Sequence, residues 1–165
     1  MRTSRMQIFL HWIPALIGIG VIVGESTATM SAENTSRWLY PLWTHLFGPV
    51  SQARWEVIHH YIRKTGHFCG YGSISLTFYY GWSYSQRRHG RAWLDRFRQS
   101  ALLALLCTLV LASWDEWHQS FIPGRTSSPR DVFLDCCGAL AAQLILLGIF
   151  AMTRRSSTPA QMRMA

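Results

Sequence analysis

Long uncharged runs alternate with charged blocks along this chain. Residues 6–24 contain no formally charged side chain, and residues 66–84 contain only His67 as a group able to carry charge. Residues 100–114 are uncharged and stop at Asp115, and residues 132–153 are broken once, by Asp135. About 20 mainly apolar residues cross a bilayer core. The first, second and fourth runs reach that length directly. The third reaches it with Gln99 and part of residues 115–117. The pattern predicts spans near 6–24, 66–84, 99–117 and 132–153. The expected fold class is therefore all-α: a polytopic membrane protein with four transmembrane helices, forming one domain over residues 1–165.

Two segments modify that outline. The first connection, residues 25–65, is long and aromatic. Trp38, Leu39, Leu42, Trp43, Leu46 and Phe47 form an amphipathic stretch interrupted by Pro41. Trp and Tyr favour the headgroup region, so the stretch is expected to lie on the membrane interface. Trp55, Ile58, Tyr61 and Ile62 recur at helical spacing and predict a second interfacial helix over 51–64, leading into the second span. At the N-terminus, Arg2 and Arg5 precede an apolar run that ends before Ser26, Thr27 and Ala28, a pattern shared with cleaved signal peptides. The run is long for a signal core, and the first segment is expected to stay as a span.

Charge then sets the expected orientation. Mean hydropathy is only +0.08, because the charges are concentrated between the apolar runs. The net charge of +8 raises nucleic acid as a partner. The cations flank the spans instead of forming a stripe, which excludes that class. Arg87, Arg88, Arg91, Arg96 and Arg98 crowd one short connection. The positive-inside rule puts it in the cytoplasm, together with Arg2, Arg5, Arg154, Arg155 and Arg163. Both termini are expected there, in a multi-pass cell-membrane protein. Cys69, Cys107, Cys136 and Cys137 all fall within apolar runs and read as buried small hydrophobes.

The acidic residues carry the candidate chemistry. Four of the eight Asp and Glu, namely Asp115, Glu116, Asp131 and Asp135, cluster at the outer ends of the third and fourth spans. Ionisable groups at membrane depth are costly and mark a functional site by default. Asp115 and Gln119 share a helix face at i, i+4, as do Asp131 and Asp135. Gly138 continues the second face and permits close helix approach. Gln143 is expected to hydrogen-bond to a neighbouring helix. Pro123 and Gly124 make the turn between the spans. Two carboxylate–histidine pairs at i, i+3, Glu56 with His59 and Asp115 with His118, have the spacing of helical metal ligands. The matches are short, and neither a metal nor another cofactor is assigned.

At these residues the chain resembles a known family. The run Asp115-Glu116-Trp117-His118-Gln119, then Phe121, Pro123-Gly124-Arg125, Asp131 and Gly138, is similar to the pattern of the VanZ-like membrane proteins. Lys64, His67, Phe68 and Tyr71 match the family's head of the second span. The resemblance covers roughly residues 60–150. Where the family commonly carries Asn four residues after the second Asp, this chain has Asp135. The resemblance implies a membrane fold, a site at these positions, and a link to glycopeptide resistance of the teicoplanin type. It implies no reaction.

His67, Asp115 and Asp131 all fall at span ends on the outer side, so the three motif pieces should converge there. The expected ligand site is Lys64, His67, Asp115, Glu116, Gln119, Arg125, Asp131 and Asp135. Arg125 is expected either to bind phosphate or to neutralise Asp131 or Asp115. The expected ligand is a membrane lipid, or a lipid-linked or cell-wall precursor. Two other roles stay open: a membrane enzyme using His67, Asp115 and Glu116 in acid–base chemistry on a headgroup, and a structural partner of another envelope protein.

Overall fold

Serine caps set two of the helices. Ser31 accepts a hydrogen bond from the backbone N–H of Asn34 at 3.3 Å, and Ser51 accepts one from that of Arg54 at 3.4 Å. Each satisfies an N–H that has no partner inside its own helix. The computed structural model describes residues 5–86, 92–123 and 125–156, with side chains to residue 154. Among these it has five α-helices and one 3-10 turn, with no strand. They are α1 Arg5–Glu25, the turn Ala28–Met30, α2 Ala32–Phe47, α3 Gln52–Ser85, α4 Trp93–Gln119 and α5 Pro129–Ser156. The cationic residues Arg2, Arg87, Arg88, Arg91 and Arg163 lie outside the described residues, as does Gly124.

Three helices, α1, α4 and α5, are long and apolar enough to cross a membrane. Phe9, Val110, Phe133 and Ile145 project from their outer faces. α3 has the length, about 51 Å for its 34 residues at 1.5 Å per residue. It is more polar because of its place in the fold. It packs against α1, α4 and α5 together, so many of its positions face neighbouring helices. Its buried positions include His59, Tyr71, Gly72, Ser75 and Gly81.

Small residues allow the close contacts. On α3, Gly81 receives the indole of Trp12 from α1, and a Cβ there would lie 2.9 Å from that ring. Further along the crossing, Gly18 faces Ile74 and Gly70 faces Ile22. Between α3 and α5, Gly138 lies against the backbone of Phe68, and Gly72 lies against the Gly138 carbonyl. Gln143 donates to the Ser75 carbonyl at 3.1 Å and to its hydroxyl at 2.9 Å. The expected interhelical bond of Gln143 is therefore present.

Three expectations are corrected. Residues 51–64 are not a separate helix but the first part of α3. No turn residue stands between Lys64 and Gly66, and a single Gly does not stop a helix packed on several sides. Pro41 does not interrupt α2. It removes one backbone hydrogen bond, while Tyr40 meets Trp55 of α3 edge-on and Trp43 packs on it at a tilt, which holds the helix across it. The cysteines are not fully buried: Cys69 is exposed and Cys107, Cys136 and Cys137 are half-buried.

Candidate functional site

α3 and α5 begin at the same end of the bundle and run parallel, so their early polar residues meet as rungs. Lys64 forms an ion pair with Asp131. One turn deeper, His67 Nδ1 lies 3.5 Å from Asp135 Oδ1. That is ion-pair range without hydrogen-bond alignment. Asp135 is completely buried, and among the described residues neither of its oxygens has a hydrogen-bond partner.

α4 brings two more carboxylates to the same end. Asp115 Oδ2 accepts from the Tyr71 hydroxyl and from Gln119 Nε2, both at 2.9 Å. The i, i+4 placement of Asp115 and Gln119 thus becomes a contact. Glu116 faces the α4–α5 connection. Its Oε2 accepts from the Ser128 backbone N–H at 2.8 Å, and its carbonyl accepts from the Ser127 hydroxyl at 2.7 Å. Glu116 Oε1 is buried with no partner.

Arg125 takes a different role from those expected. Its Nη2 donates to the carbonyls of Glu25 and of Thr27, the latter at 2.8 Å. Carbonyls at a helix end have no partner within the helix, and Arg125 supplies one where α1 stops. It is not paired with Asp131 or Asp115. Asp131 is taken by Lys64, which is nearer along the α3–α5 seam. Burial pulls the Arg125 pKa below its ordinary value, and the nearby Arg63 guanidinium pulls it further.

The carboxylate–histidine pairs do not converge. Glu56 is exposed and accepts from Gln52, whereas His59 is buried against Thr35. Asp115 turns into the bundle, and His118 pairs with Ser26 at 3.2 Å. Among the described residues no group of three or more His, Cys, Asp or Glu is arranged to hold a metal.

Two spaces adjoin the cluster. A small cavity of about 20 Å³ is bounded by His67, Tyr71, Asp115 and Gln119, with Ser26 and Glu25 on the α1 side. That volume suits one water. A groove of about 390 Å³ starts at Arg63, His67 and Arg125 and runs between α1 and α3, partly covered by α2.

The sequence profile of the VanZ/LLP1 family matches residues 9–151. The chain belongs to that family. No curated protein and no solved structure matches it. The VanZ/LLP1 match extends beyond the motif-bearing region to α1 and α2, the helices that wall the groove. All eight expected site residues lie inside it.

Sequence reasoning on the VanZ-like motif left three residues without a role. Tyr71 stood in the motif without a role, and it holds Asp115. Ser128 lies in a connection that shows no pattern, yet its backbone holds Glu116. Arg63 drew no notice as a site residue in the sequence. It is half-buried at the head of the groove and makes no hydrogen bond or ion pair among the described residues. Burial lowers its pKa, while Asp131 and Glu116 act the opposite way from a distance. Helical spacing held the only signal: Arg63 is one turn before His67 on α3.

Proposed function

We propose that this chain is a four-span envelope protein that binds a lipid-linked or cell-wall-related ligand at the outer face of the cell membrane. In this reading α3 is the fourth span, both termini are cytoplasmic, and binding underlies a link to teicoplanin-type resistance. One observation carries the reading. Scarce carboxylates meet Lys64 and His67 at the end of the bundle where a lateral groove opens. A structural clasp has no use for the bare oxygens of Asp135 and Glu116, since buried polar atoms are ordinarily hydrogen-bonded.

The test is the lipid that copurifies with the protein. Glu116→Gln keeps an acceptor for the Ser128 N–H and removes the charge. The expected result is a several-fold loss of one copurifying lipid species, with the melting temperature unchanged. An unchanged lipid profile would remove the reading.

The 20 Å³ cavity favours a second reading, a membrane enzyme acting on a lipid headgroup. A water there would touch both an imidazole and a carboxylate, the pairing needed for general-base attack. Turnover by purified protein, abolished in His67→Gln, would separate this from binding alone.

A further inference from the structure

Proposed ligand binding leaves the chemistry of the ligand open, and the groove narrows it. Its two ends differ in kind. At the head, Arg63 presents a half-buried guanidinium with no acceptor among the described residues. Arg125 adds positive charge beside it, with Nη2 committed to carbonyls and Nε buried and unpartnered. Glu25 at the rim is the one acidic side chain lining the groove. The carboxylates Asp131 and Glu116 lie behind Arg63, and neither reaches ion-pair distance. A half-buried guanidinium without a protein partner is a donor available to an anion, and its planar fork suits phosphate.

Away from the head the walls become apolar. Val21 of α1 and Ile74 of α3 line it, with Thr77 further along α3. From Gly66 to Thr77 the groove follows α3 for roughly 16 Å at about 1.5 Å per residue. That is close to half of a ~30 Å hydrocarbon core, the depth of one leaflet. Val21 and Ser73 are exposed, so the groove opens sideways to lipid. Trp38 of α2, more than half exposed, covers its upper part.

We infer that the groove holds an anionic amphiphile, with a phosphate-type headgroup on Arg63 and one hydrocarbon chain lying between α1 and α3. The inference rests on the proposed ligand-binding role and specifies the class of ligand. Charge complementarity selects the headgroup, and the depth and lateral opening select the chain. The carboxylates behind Arg63 then face whatever the phosphate carries on its far side.

The probe is tetradecyl phosphate titrated into purified protein in neutral detergent. Tetradecylphosphocholine and inorganic phosphate are the comparison arms. Wild-type protein should bind the phosphate monoester at least about tenfold more tightly than the zwitterion. Arg63→Gln should lose about tenfold, and Arg63→Lys should keep part of the affinity. A Cβ at Gly66, which lines the groove, meets nothing within 4 Å, so Gly66→Leu adds bulk at the groove and should weaken binding of the chain. Equal affinity for the two amphiphiles, or no effect of Arg63→Gln, overturns the inference. Binding of inorganic phosphate alone with equal affinity overturns the chain assignment, and the inference with it. Glu116→Gln separates the two claims. If it weakens binding and Arg63→Gln does not, the binding role stands and the anionic class falls. If only Arg63→Gln weakens binding, the groove stands and the carboxylate site falls.

Discussion

A methyl group at position 138 would overlap the Phe68 carbonyl, so Gly138→Ala must push α5 away from α3. Overpacking of this kind costs about 1–3 kcal/mol. The expected outcome is a clear drop in thermal stability in detergent. Gly148→Ala on the same helix has open space around its Cβ and should leave stability unchanged. His59 gives a pH-dependent counterpart. It is buried between α2 and α3, bonded to Thr35 at 3.1 Å and stacked on Trp55. Burial first, and Arg63 second, lower its pKa from 6.5. The folded protein therefore resists protonation more than the unfolded chain does. Stability from this group is complete above pH 6.5 and is lost as pH falls from 6.5 towards the lowered value. His59→Gln should lack that acid-side loss, and the difference between the two melting curves across pH isolates it. Glycine and histidine were legible to different degrees. Gly138 was visible because it continues the face of Asp131 and Asp135. His59 was read for metal spacing, because its partner Thr35 lies in another helix.

At the scale of elements, the parallel seam between α3 and α5 organises the polar end. Lys64 with Asp131, His67 with Asp135, Phe68 with Gly138 and Ser75 with Gln143 follow one another down the two helices. The individual polar residues were evident in the sequence as interruptions of apolar runs. Their pairing was not, because periodicity gives the face of a helix and says nothing of which neighbour it meets. The helix boundaries show the same limit. Apolar runs located α1, α4 and α5 well. They divided α3 in two, because its outer part is polar and its continuity comes from packing on several sides. The spanning role of α3 has a direct check. Reporters inserted near residues 49 and 92 should sit on opposite sides of the membrane. The same side for both would mean that α3 does not cross.

At the scale of the molecule, α4 and α5 bring carboxylates to one end, α3 supplies the bases, and α1 with α2 makes the groove beside them. Arg125 ties this arrangement together, since it joins the α4–α5 connection to the end of α1. The family motif located the carboxylates and bases, because those residues stand out among apolar neighbours. The groove was not legible. Its walls are ordinary membrane residues such as Val21, Ile74 and Thr77, and only the crossing of α1 over α3 makes them a site. The central claim is that one amphiphile occupies that groove with its head at the polar cluster. Photolabelling tests it most directly, using a monoalkyl phosphate with a diazirine near the end of its chain, irradiated with the protein in membranes and mapped by peptide mass spectrometry. The account predicts adducts on the α1 and α3 peptides around Val21, Ile74 and Thr77, and their loss in Gly66→Leu. Labelling spread evenly over the outer faces of α4 and α5, and unchanged in that variant, would contradict it.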